Sequence, residues 1–138
     1  MLPMRLTRFI ARQTRVRPAR VKGRCPVASI TFDDFPKSAW ETGGRILARF
    51  KLRGTYYTAG TFCGRSVDGT QFYDESDLRA LAAAGHEIAC HGDAHRLVSS
   101  QSPREFAEDL RSARVIIERL TGRRPIGYRA PAFSITRS

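Results

Sequence analysis

A chain of 138 residues has room for one domain with a modest core, and its 41% hydrophobic and 27% charged content is that of an ordinary globular protein. No apolar run approaches the roughly 20 residues that a membrane-spanning helix needs, so no transmembrane segment is expected. The net charge of +11 suggests a nucleic-acid binder only until its distribution is read: eight of the 24 Lys/Arg residues lie in the first 24 positions, where no Asp or Glu occurs, and the remainder holds 16 basic and 13 acidic residues, a balance of +3.

Residues 1–25 therefore read as a basic, disordered arm, and no specific nucleic-acid partner is expected for the folded part. Binding through the arm alone would be strongly salt-dependent. The arm lacks the continuous apolar core of a secretory signal, which points to a cytoplasmic location, although an Arg-rich, acid-free start also fits an organellar transit peptide. The three cysteines, Cys25, Cys63 and Cys90, cannot all pair internally and form no Cys-x-x-Cys, which favours a reducing compartment over a disulfide framework. Cys90 is singled out by its place directly before His91.

From Pro26 the pattern becomes regular. Residues 27–32 are short, β-branched and almost wholly apolar, as in a strand buried on both faces. Ser38 and Glu41 have capping-box spacing and open a helix through Trp40, Leu47 and Phe50; Gly43 and Gly44 weaken it, and Gly54 ends it. Residues 55–59 read as the next strand and 60–73 as a polar loop. Asp74 and Asp77 start a second helix through Leu78, Leu81 and Ala82, closed by Gly85, and residues 86–90 form a third strand. Ser102, Pro103 and Glu105 combine an N-cap, a proline at the first helical position and a capping-box acid. Phe106, Leu110, Ala113, Ile117 and Leu120 then recur in steps of four and three as a buried stripe. Gly122 closes that helix, and 126–128 is a fourth short strand.

The β-α-β-α-β-α-β order predicts an α/β fold with parallel strands and helices packed outside them. In such sheets chemistry gathers at the carboxyl ends of the strands. Asp33 and Asp34 follow the first strand, His91 the third and Arg129 the fourth, so these clusters are expected to converge on one face.

His91 and His95, four residues apart, share one side if the segment makes a helical turn. Two histidines with one carboxylate give three ligands and an open position, the arrangement of a catalytic zinc. Asp93 points to the other side of such a turn and is left out. Asp34 is then the third ligand, and Asp33 is free to take a proton from a water whose pKa the zinc lowers. An adjacent aspartate pair after a strand is also a common capped turn. Arg129 can pair with Asp33 and orient it as a base. Pro131 fixes the backbone where an amide can face a developing oxyanion.

These residues resemble the motifs of the NodB-homology polysaccharide deacetylases, carbohydrate esterase family 4. The first motif, Thr-Phe-Asp-Asp, is present at 31–34. His91 and His95 match the metal motif, with Gly92 where Ser or Thr is usual. Arg129 and Pro131 match the third, with Ala132 where an aromatic often sits and Phe133 one residue later. The stretch 126–136 resembles the variant of exopolysaccharide-associated members. The resemblance implies part of a distorted (β/α) barrel over 26–138, with Asp33 as catalytic base and Arg129 orienting it. It implies Asp34, His91 and His95 as ligands of a divalent metal, zinc first, and Pro131 and Ala132 at the substrate, an amide near Ala132 facing the oxyanion. The implied reaction is hydrolysis of N-acetyl groups from acetylated amino sugars of a glycan. The family's domain continues to a tryptophan-bearing motif and a late histidine that acts as general acid, a role His86 does not match. The chain is thus expected to be the first portion of such a domain, with open sheet edges available for self-association. The alternative is an inactive metal- or carbohydrate-binding remnant.

Overall fold

The computed structural model describes residues 27–134; the expected basic arm lies outside the described residues. Three strands form a parallel sheet in the order β1 (Thr31–Asp33), β2 (Thr55–Thr58), β5 (Glu87–Cys90). The register sets Asp33 beside Tyr57, and Thr58 beside Cys90. The expected fourth strand is reduced to one parallel bridge, Cys90 to Tyr128, with the Arg129 amide donating to the Cys90 carbonyl at 3.0 Å. Ile126, which that strand would have used, is 92% exposed. The first strand is also shorter than expected: Val27 is 80% exposed, and pairing begins only at Thr31. Among the described residues the β1 edge pairs with no further strand and the β5 edge carries only the Tyr128 bridge, and nothing in this geometry supports the expected self-association.

Helix α1 follows β1, a wide π-turn at Ala39–Gly44 running into α-helix at Arg45–Arg49. Ser38 already has helical backbone (φ −62°, ψ −25°), so its side chain makes no capping bond and the expected capping box does not form. The chain leaves α1 through Lys51 in a left-handed conformation (φ 56°), not through Gly54. Gly54 instead lies packed against the Ile30 carbonyl and Leu47, and its amide donates to His86 Nδ1 at 3.0 Å. Within 60–73 the structure holds a short hairpin, β3 (Ser66–Val67) and β4 (Thr70–Gln71), turning at Asp68 and Gly69, both with positive φ. That Asp-Gly pair is a type I′ turn signal that the expectation of a plain loop passed over.

The other two helices form where the local signals place them. Helix α2 (Glu75–Ala83) begins with a reciprocal capping box between Asp74 and Asp77. Helix α3 (Pro103–Thr121) begins with the Ser102–Glu105 box and ends at left-handed Gly122. Both pack on the sheet around Phe35, Tyr56, Tyr73, Leu81, Ile88 and Ile117. Phe35 stacks on Tyr73 with ring centres 4.3 Å apart, and the Tyr73 hydroxyl donates to the Ala59 carbonyl at 2.6 Å. Burial of this kind contributes about 1.5–3 kcal/mol per large apolar side chain. It fixes the sheet on which the polar residues stand. No helix among the described residues is long and apolar enough to cross a membrane.

Candidate active site

The strands end level with one another, so the residues just beyond them meet. Arg129 reaches across Tyr57 to the first strand: its Nη1 donates to Asp33 Oδ1 at 2.6 Å and to Thr31 Oγ1 at 2.9 Å. Its guanidinium lies 4.1 Å from the Tyr57 ring centre, a cation–π contact from the intervening strand. Asp34, next in sequence, takes a left-handed backbone (φ 44°) that turns it away from Asp33's partner and towards the histidines. Such backbone costs a non-glycine residue of order 1–3 kcal/mol and persists only where the surroundings enforce it.

Asp34, His91 and His95 each offer a ligand atom, all within 4.8 Å of one another. His91 is 2% exposed; its Nδ1 lies 2.7 Å from the Arg129 carbonyl, which fixes the proton there and leaves the Nε2 lone pair facing Asp34 Oδ1 at 3.7 Å. His95 Nε2 lies 3.0 Å from Asp34 Oδ2 but off hydrogen-bonding direction, and both it and Asp34 Oδ1 are buried without a hydrogen-bond partner among the described residues. Burial pushes the Asp34 carboxyl above its ordinary range; the two histidines pull the other way, and Asp33 adds to the rise. Two imidazole nitrogens and a carboxylate that converge within 4.8 Å, with buried atoms among them that find no hydrogen-bond partner among the described residues, suit a cation, so the residues fit the divalent metal that the sequence motif implies.

The histidines do not share a helical turn as expected. Gly92 (φ 80°) and His95 (φ 52°) bend the segment in the left-handed sense, and this bend brings the two rings to 5.1 Å. Asp93, left out as a ligand, turns towards Gly60 and stands apart from the three ligand atoms. Cys90 is buried, and burial pushes its thiol up to about 11, a structural rather than reactive cysteine. Pro131 is buried and opens a tight turn in which Ala132 (φ 53°) and Phe133 (φ 51°) are left-handed; Phe133, 69% exposed, faces Arg129 with 5.7 Å from ring centre to guanidinium carbon.

The family model described as polysaccharide deacetylase matches residues 20–138. The chain belongs to that family. Among curated relatives of this chain, the peptidoglycan-N-acetylmuramic acid deacetylase PdaC of Bacillus subtilis is 31% identical over 108 residues, 76% of this chain and 21% of that protein. Among solved structures, IcaB from Ammonifex degensii superposes with a TM-score of 0.66 at 19% identity over 75% of this chain and 49% of that one. The family 4 acetyl xylan esterase of Clostridium thermocellum, solved with a cobalt ion, gives 0.61 at 22% identity, over 76% of this chain and 48% of that one. These likenesses give the chain the NodB-type fold, and the chain spans about half the length of the solved relatives.

Three parts of the site carry little signal in the sequence. Thr31 was read only as part of a motif, yet it shares the Arg129 guanidinium with Asp33. Tyr57 underlies Arg129, and its only sequence signal was its register position one residue before the end of a strand. Asp109, on α3, accepts hydrogen bonds from the backbone of the histidine loop. An acid on the buried side of an amphipathic helix was the signal that could have found it.

Proposed function

We propose that this chain carries the metal and base half of a glycan N-deacetylase site, which hydrolyses N-acetyl groups of acetylated amino sugars. The observation that carries the reading is the pairing of two units on one sheet end. Asp33 is gripped by Arg129, and the adjoining Asp34–His91–His95 group has buried, unpartnered atoms. Asp34, His91 Nε2 and His95 Nε2 would hold a divalent ion, zinc first, though a two-histidine, one-carboxylate set accepts several such ions; the cobalt of the acetyl xylan esterase is in keeping with that. When bound, the ion supplies a Lewis acid that polarises the acetyl carbonyl and acidifies water.

The chain's own residues do the rest. Asp33 takes the proton of the attacking water, and Arg129 with Thr31 fixes which oxygen of Asp33 remains to do so. Hydroxide adds to the acetyl carbon, the C–N bond breaks, and the proton ends on the amine. The rigid turn at Pro131 and Ala132 is assigned to the substrate side, where a backbone amide meets the developing oxyanion. The names of the relatives support an acetylated glycan, among them peptidoglycan. A glycan of the cell wall would put the work outside the cytoplasm, against the cytoplasmic location expected from the sequence. Residues 26–138 are assigned to the deacetylase domain and the basic stretch before them to an arm.

The test is acetate release from an N-acetylated chitooligosaccharide by the purified chain with one equivalent of zinc, beside Asp33→Asn. Release by the wild type and a loss of at least about 10²-fold in the variant, with zinc still bound, is expected for removal of a general base. A second reading, metal or glycan binding without turnover, rests on the Asp34–His91–His95 group alone. Stoichiometric zinc with no acetate release would establish it in place of the first.

A further inference from the structure

The loop that carries His91 and His95 is tied to the backbone after the second strand at its start and at its middle. The His91 amide donates to the Thr58 carbonyl and the Thr61 amide to the Asp93 carbonyl, each at 2.9 Å. A side chain holds the middle as well. Asp109, 8% exposed on α3, accepts the Asp93 amide at 3.1 Å through Oδ2 and the Ala94 amide at 2.8 Å through Oδ1. Successive amides turned to one side by a left-handed residue make a small anion-binding concavity, and Gly92 (φ 80°) supplies that residue. A Cβ on Gly92 would stand 2.6 Å from Asp109 Oδ2, inside contact distance. The carboxylate therefore occupies the space that any side chain at position 92 would need. Gly92 and Asp109 form one device: the glycine makes room for the carboxylate, and the carboxylate fixes the amides directly before His95.

We infer that Asp109 is a positioning residue for the metal centre, setting the left-handed His95 (φ 52°) and its Nε2 from a helix that contributes no ligand. Charge-assisted bonds to two neighbouring amides are roughly twice as strong as neutral ones, and they act on Asp93 and Ala94, the two residues directly before the ligand His95. The inference rests on the metal reading of Asp34, His91 and His95 and deepens it. It also makes α3, otherwise a packing helix, the outer support of the site.

The test compares zinc affinity, by competition against a chromogenic chelator, and the cobalt(II) absorption spectrum for the wild type, Asp109→Asn, Asp109→Ala and His95→Ala. Loss of an outer-sphere support costs roughly 10–100-fold in metal affinity, the fall expected for Asp109→Ala together with an altered cobalt band. Asp109→Asn keeps an oxygen for the Ala94 amide and is expected to lose less. Circular dichroism establishes that each variant is folded, and where the alanine variant is not, the asparagine variant decides. If His95→Ala weakens zinc but neither Asp109 variant changes affinity or spectrum, the inference on Asp109 is overturned alone. If His95→Ala binds zinc as the wild type does, the metal reading itself has failed, and the inference with it.

Discussion

Arg129 is held by three neighbours from two strands: Asp33 and Thr31 accept from its Nη1, and Tyr57 lies under its plane. A lysine has the charge but neither the planar fork nor the stacking face. Arg129→Lys is therefore expected to lower deacetylation on the order of 10²-fold, through a misplaced base, with zinc affinity left near that of the wild type. Steady-state kinetics with a parallel zinc titration checks this; a variant that loses zinc and activity together would place Arg129 in the metal support instead, through its carbonyl on His91. At this scale the charged residues were legible because each sits next to a strand end in sequence. Thr31, Tyr57 and Asp109 were not, because their partners are brought to them by folding: Thr31 and Arg129 are 98 positions apart, and Asp109 and Asp93 16.

The first helix separates two adjacent glycines by their surroundings. A Cβ on Gly44 would lie 2.7 Å from Trp40 Cζ3 and closer still to Cε3, whereas one on Gly43 would meet only the Phe32 ring at 3.4 Å. Gly44→Ala must displace the indole, which itself packs edge-on against His86, and is expected to cost about 1–3 kcal/mol by overpacking. Gly43→Ala fills ordinary space in a helix and is expected to stabilise by about 0.4–1 kcal/mol. Urea unfolding of the two variants checks both signs; equal effects would mean that helix propensity, not the Trp40 contact, governs this turn. The same contrast explains what was legible among the elements. Helices α2 and α3 begin and end on local chemistry, the boxes at Asp74 and Ser102 and the left-handed Gly122, and sequence carries that directly. Helix α1 is shaped by what packs on it, a π-turn over Trp40 with an exit through Lys51, and neither glycine by itself announces that. Apolar composition likewise overstated the first and fourth strands, because a strand needs a neighbour as well as a pattern, and Val27 and Ile126 have none among the described residues.

Across the whole molecule, buried and paired ionisable groups bound the pH range of stability from both sides. His86 lies under the sheet between Trp40 and Tyr56, with ring centres 5.8 and 5.3 Å away, and its Nδ1 must keep a lone pair for the Gly54 amide. Burial first, with the Arg53 cation adding to it, keeps His86 below its ordinary value of 6.5. The unfolded chain then takes up the proton before the folded one does. The contribution is full above about pH 6.5 and is lost as the pH falls from there through the folded value. Asp74 acts in the same sense lower down. Lys37 at 2.8 Å and the Ser76 side chain hold its carboxyl well below the usual carboxylate range, so its contribution is present above about pH 4 and is lost as acid is added further. At the alkaline end the sign reverses. Burial raises the Cys90 thiol from 9.0 to about 11 and the Tyr56 phenol from 10.0 to about 12, so their contributions hold below the unfolded values and fade as the pH climbs through the raised ones. Metal-free stability should therefore form a plateau from about pH 6.5 to about 8.5, with an acid limb in two stages. His86→Gln keeps an oxygen acceptor for the Gly54 amide but cannot titrate. It should lower overall stability through lost ring packing while flattening the first stage of the acid limb, the one that begins at about pH 6.5. Thermal melts of wild type and variant in chelator at half-unit steps read the slopes directly. A variant curve parallel to the wild type through that stage would show that His86 does not set it.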